Sequence, residues 1–187
     1  MIIPVAGIVI LNLSTGIFHD CLIMINAFAL GSGFLLYIGL FSLMLQRHYL
    51  IAHLPHILAP TIWIHLAPIG WGGVSLVSLA QHFGGLRNFS ALIGGLLWGG
   101  CIWWFIMCII LTLKATCSHQ MKFSLAYWAF IFPLCAITIL SFRLGGPFMP
   151  AFYCLWCLTL IFWMIAACKT LKSFAQYVKY KYQMRRK

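Results

Sequence analysis

The chain has 187 residues, of which 64% are hydrophobic and 7% charged, and its mean hydropathy is +1.02. A soluble domain of this length needs far more charge to cover its surface, so the solvent it meets is lipid. Its one carboxylate, Asp20, excludes paired-carboxylate catalysis and acidic metal sites.

Six apolar runs follow in chain order, at about 2–18, 21–45, 57–80, 90–113, 123–142 and 149–168. Each approaches the roughly 20 helical residues that cross a hydrocarbon core. Backbone groups in lipid must be satisfied within a segment, and the alternation of a membrane barrel is absent. The expectation is an all-α integral membrane protein of six transmembrane helices paired as three hairpins. The transmembrane domain occupies 1–168, and a basic tail occupies 169–187.

The formal charge is +11, and seven of the 12 Lys and Arg fall from Lys169 onward. Such a run after an apolar helix reads as a cytoplasmic flank beside anionic headgroups, so no nucleic-acid partner is expected. Arg47, Lys114, Lys122 and the tail share one side of the predicted topology, and only Arg87 and Arg143 lie on the other. Ten against two places both termini in the cytoplasm, with the protein integral to the plasma membrane, or to the inner membrane in a bacterium.

Prolines divide the segments. The first contains Pro4, the third Pro60 and Pro68, and the fifth Pro133. The second and fourth have none, and Pro150 opens the sixth, where a helix tolerates it. An intramembrane proline frees a carbonyl and bends the helix, which lipid tolerates only where protein or water re-satisfies the backbone. Three hairpins follow, each with a bent inner helix, kinked at Pro60, Pro68 or Pro133 in the later two, and a straight outer one.

Asn12 and Thr15 in segment one, Thr61 and His65 in segment three and Thr138 in segment five are candidate pore-lining residues. For the hydroxyls, hydrogen bonding between helices is the alternative. For His65, packing between helices competes with pore lining. The other histidines lie near ends or loops, and Pro55 separates His53 from His56, so neither haem nor metal is expected. "CLWC", Cys154–Cys157, has redox spacing but lies within an apolar run, where thiols act as small hydrophobes. With no nucleophile motif, phosphate-binding loop or zinc motif, neither an enzyme nor a cofactor is expected.

Four stretches carry a family resemblance. "FSLAYWAFIFP", Phe123 to Pro133, resembles the ninth-helix signature of the tellurite-resistance/dicarboxylate transporter family. "LPHILAPTIWIHLAPIGWG" is similar to that family's seventh helix, "IPVAGIVILNLSTG" to the start of its fifth, and "LYIGLFSLMLQRHYL" to the end of its sixth. Order and spacing agree over nearly the whole chain. The resemblance implies a share of a ten-helix, five-hairpin pore, with odd-numbered helices inside and bent at prolines. Family members include tellurite-resistance channel homologues, malate and sulfite exporters and the plant guard-cell slow anion channel, often as trimers.

The resemblance thus implies small inorganic or organic anions as partners, with the lipid bilayer around them. In the family a ninth-helix phenylalanine plugs the pore, and that position falls on Phe132, followed by Pro133. The expected function is an anion channel or transporter with a phenylalanine-gated pore. The alternatives are a C4-dicarboxylate or sulfite exporter, a tellurite-resistance protein, or a non-conducting fragment or assembly subunit. Ile131 stands where the family commonly has threonine. The six segments correspond to helices five to ten, so a truncated product, a misplaced start or a partner chain supplying four helices is expected.

Overall fold

The computed structural model describes residues 2–50, 62–83, 85–117 and 125–184. Six α-helices are present among them: α1 (Ile2–Leu11), α2 (Ile17–Leu50), α3 (Leu66–Leu79), α4 (Arg87–Cys117), α5 (Ile131–Leu144) and α6 (Met149–Met184). Short 3-10 stretches cover 62–65 and Leu125–Phe130, leading into α3 and α5, and Ala80–His82 and Gly146–Phe148 at the connections. No β-strand occurs among the described residues.

The 10 residues of α1 rise about 15 Å. Beyond Leu11 the first apolar run turns, because Asn12, Ser14, Thr15 and Gly16 favour local bonds over helix. The Ser14 hydroxyl donates to the Leu11 carbonyl at 3.1 Å, and Gly16 takes φ +66°, where a side chain would be strained. Five further segments are long and apolar enough to cross a membrane, from Ile17–Arg47 through Gly146–Lys179. α6 runs unbroken past its apolar part through Lys169, Lys172, Lys179 and Lys181 to Met184.

Sequential helices pair as α1/α2, α3/α4 and α5/α6. The most extensive packing between elements is α3 on α5, and α1 also packs on α3. Among the described residues, α2, α4 and α6 have no extended contact with one another. In the most apolar stretch of each span, 67% of residues are buried for α3 and its 3-10 flanks and 50% for the α5 segment, against 11% for α2 and α6. In the later two hairpins α3 and α5 are therefore inside and α4 and α6 outside, with large apolar side chains such as Leu96 and Ile161 facing lipid, while α1 still exposes Ile3, Val9 and Ile10.

Close α3–α5 packing needs a missing side chain. A Cβ at Gly70 would stand 2.7 Å from the Ala136 Cβ and 3.1 Å from its carbonyl carbon. Around this crossing Trp63, Leu66, Cys101, Trp104, Cys108, Phe130, Leu134 and Ile137 form the main core.

Each of α3 and α5 begins as a 3-10 stretch, converts to α-helix, and carries proline as its third α-helical residue, Pro68 or Pro133. Proline cannot donate to the carbonyl four residues back, so the turn ahead of it keeps unpaired acceptors. Outer helices add side-chain donors to the 3-10 lead-in of α3. Tyr37 Oη of α2 donates to the His65 carbonyl at 2.8 Å, and Trp104 Nε1 of α4 donates to the Ile62 carbonyl at 3.2 Å. Cys108 Sγ lies 3.8 Å from the same Ile62 oxygen, a weaker contact. In lipid this cross-helix pairing is what allows a broken inner helix. Pro60 lies outside the described residues.

The ends of the bundle are distinct. Gly94 lies against Val77 and Leu144, Trp98 meets Phe148 and His19 meets His82, which gathers Arg87 and Arg143 at one end. At the other, Trp63 Nε1 donates to Thr112 Oγ1, Trp128 Nε1 donates to Thr170 Oγ1, and Lys169 Nζ sits 4.9 Å over the Tyr127 ring.

Candidate functional site: an aromatic pair on the inner helices

A cavity of about 490 Å³ opens between α1, α2, α3 and the start of α5. Ile3 supplies one edge, Gly33, Leu36, Tyr37 and Leu40 come from α2, and Ile64, Ala67, Pro68 and Trp71 come from the α3 segment. Phe132 is its sole contribution from α5.

The backbone explains why Phe132 reaches this space. It is the second residue of α5, directly ahead of Pro133, which is fully buried. Successive helical residues are about 100° apart, so burying the proline turns the phenylalanine away from the core. Phe132 keeps 43% of its surface exposed, while Leu134, Ala136 and Ile137 on the same helix are wholly buried. Its ring lies 5.7 Å from the Trp71 ring, centroid to centroid, at 36°. This tilted pair bridges α3 and α5 beside the Gly70–Ala136 crossing.

Among the described residues the cavity wall carries no charged side chain. Its polar groups are the Tyr37 hydroxyl, already engaged with the His65 carbonyl, and the Trp71 indole. Trp71 Nε1 is buried and has no hydrogen-bond partner among the described residues.

The other candidate residues are distributed elsewhere. The His65 ring is 6.1 Å from the Phe41 ring of α2 and 6.4 Å from the Trp104 ring of α4, on the side of the inner segment that meets the outer helices. Thr138 is buried and donates to the Leu134 carbonyl at 2.7 Å, with its oxygen 3.4 Å from Thr159 Oγ1 of α6. It borders a separate groove of about 560 Å³ between α5 and α6, with Cys135, Ile139, Trp156 and Trp163. Asn12 and Thr15 are exposed in the α1–α2 turn, and Thr61 lies outside the described residues. Pro68 and Phe132 are thus the candidates that share the first cavity. Cys154 and Cys157 are free thiols on exposed positions of α6.

Trp71 and Tyr37 lie within two of the stretches that carry the family resemblance, but nothing in the sequence singles either out as a site residue. Asn26 is another buried polar residue whose place depends on packing. A Cβ on Gly7 would collide with its amide, and its Nδ2 donates to the Leu22 carbonyl at 2.9 Å.

Inner segments that carry prolines, wrapped by long apolar outer helices, define an α-helical membrane protein. Over residues 1–171 the chain matches the family described as SLAC1, voltage-dependent anion channel, and it belongs to that family. It is similar to two proteins of Methanocaldococcus jannaschii, each described as an uncharacterized transporter. It is 34% identical to MJ0762 over 180 residues, 92% of this chain and 53% of that protein. It is likewise 34% identical to MJ0576 over 177 residues, 91% of this chain and 51% of that protein. The chain therefore spans about half the length of these relatives. No solved structure matches it.

Proposed function

We propose that this chain forms part of an anion-conducting pore in which the Phe132 ring is the gate. The observation that carries the reading is the ring's position: 43% exposed beside buried Pro133 and Leu134 on an inner helix, facing a cavity, with the Trp71 ring 5.7 Å away. An apolar ring across a narrow passage excludes ions by steric closure and dewetting and needs no charge. The absence of fixed charge from the described wall favours conduction over tight capture of an organic dianion. Further helices, in the same polypeptide or from a partner chain, complete the wall, in keeping with relatives of about twice the length. The end bearing Lys114 and Lys169 faces the cytoplasm, following the excess of Lys and Arg there.

The test is anion efflux from liposomes containing the full-length protein. Phe132→Ala is expected to raise resting chloride flux at least tenfold, with rates linear in driving force. Unchanged flux from a correctly assembled variant refutes the gate. Flux that saturates with a C4-dicarboxylate or sulfite, but not with chloride, replaces the channel reading with an exporter.

A further inference from the structure

Among the described residues two buried side-chain polar atoms of α3 have no hydrogen-bond partner, Ser78 Oγ and Trp71 Nε1, and the second belongs to the residue beside the candidate gate. Trp63, Trp98, Trp104 and Trp128 each donate the indole N–H to a defined acceptor: Thr112 Oγ1, Ser141 Oγ, the Ile62 carbonyl and Thr170 Oγ1 respectively. Trp71 Nε1 is buried like the best of these and has none. A buried N–H left without an acceptor raises the free energy of the state that leaves it so, and such a group in a native fold calls for a reason. Indole is a donor only, so what can relieve it is an acceptor: water, a carbonyl oxygen or an anion.

Two other facts about Trp71 are independent of that N–H. Its ring lies 5.7 Å from the Phe132 ring, and both residues border the same cavity. It follows Gly70, whose bare Cα lets α3 and α5 touch, so the two rings are brought together at the closest approach of two inner helices. Pro68 sits one turn earlier, and α3 runs as continuous α-helix from Leu66 through Trp71 to Leu79. The tryptophan is thus fixed to a tightly packed element, while its partner ring stands free of the core.

We propose that Trp71 is the second half of the gate: its ring holds Phe132 in the closed position, and its N–H is the donor a permeating anion meets once Phe132 has moved. This rests on Phe132 being the gate. The closed state keeps the ring pair and leaves the donor unpaired; the open state loses the pair and satisfies the donor. The two terms oppose each other, which keeps the populations of the two states close enough for a modest stimulus to switch them. A donor without acceptor capacity also discriminates against cations beside the gate, where no Lys or Arg is present among the described wall residues.

Chloride is the probe, in liposomes containing the full-length protein. Three variants are compared with Phe132→Ala: Trp71→Ala, Trp71→Phe, and Trp71→Phe combined with Phe132→Ala. Losing an aromatic pair is expected to raise the resting leak of Trp71→Ala about two- to tenfold. Trp71→Phe, which retains a ring, leaks less than Trp71→Ala. Losing one neutral hydrogen bond to the permeating ion is expected to lower chloride flux in the double variant about two- to tenfold below Phe132→Ala alone. Gel filtration in detergent verifies assembly, and if Trp71→Ala fails to assemble the double variant still decides. A Phe132→Ala leak that Trp71→Phe does not reduce, with no leak from Trp71→Ala, overturns the role of Trp71 and leaves the gate standing. No leak from Phe132→Ala removes both.

Discussion

Gly70→Ala puts the inner-helix crossing under direct strain. The new Cβ would sit 2.7 Å from the Ala136 Cβ and 3.1 Å from the Ala136 carbonyl carbon. Carbon atoms pack at about 3.5–4.0 Å, so α3 and α5 must separate by about 1 Å at their closest point. The obstacle is a Cβ and a backbone carbon, which no rotamer can move. Overpacking of this kind costs about 1–3 kcal/mol. Alanine's better helix propensity offsets about 1 kcal/mol of that, leaving a net loss of about 1 kcal/mol. The single-variant shift is therefore small, and a double-mutant cycle is the sharper measurement. Ala136→Gly removes the opposing Cβ, so the combined variant should recover about 1–3 kcal/mol relative to the sum of the two singles. Thermal denaturation in detergent, followed by gel filtration of the surviving fraction, reads the effect as a Tm for all four proteins. Additive Tm shifts, with no recovery in the double variant, would refute the claim that this contact sets the α3–α5 distance.

The remaining expectations concern the broken turn and the orientation. Tyr37→Phe keeps the ring but leaves the His65 carbonyl without its 2.8 Å donor, and is expected to destabilise the protein by about 1 kcal/mol, read as a lower Tm; an unchanged Tm would mean that water or another donor already serves that oxygen. For the orientation, single cysteines at Gly146 and at Lys172, in a background with the native cysteines removed, should label oppositely in intact cells. A membrane-impermeant maleimide is expected to reach the first from outside and the second only after permeabilisation, and the reverse pattern would overturn the assignment of sides.

How much of the fold was legible follows from what lipid demands of a chain. Length and apolarity locate the helices, because a span has to be about 20 residues long and satisfy its own backbone. Proline placement separates inner from outer in the later two hairpins, because an irregular backbone in lipid needs protein around it, as where Tyr37 and Trp104 donate to the His65 and Ile62 carbonyls ahead of Pro68. Sites were read less well. His65 and Thr138 attract notice as polar groups in apolar runs. In the structure the first lies against Phe41 and Trp104 of the outer helices, and the second bonds along α5 and meets Thr159 of α6.

What the sequence determined by itself is the class of the protein, the pairing of its helices into hairpins, the asymmetry of its basic residues and, in the later two hairpins, which helix is the inner one. What only the tertiary structure decided is which way each helix is turned about its axis. In a soluble protein the polar face announces that rotation. Here lipid and protein interior are equally apolar, so the face that meets Ala136 and the face that meets an acyl chain are written in the same residues. Rotation is settled by contacts such as Gly70 on Ala136 and by the burial of Pro133. Those contacts turn Phe132 and Trp71 toward each other and leave one indole N–H without an acceptor.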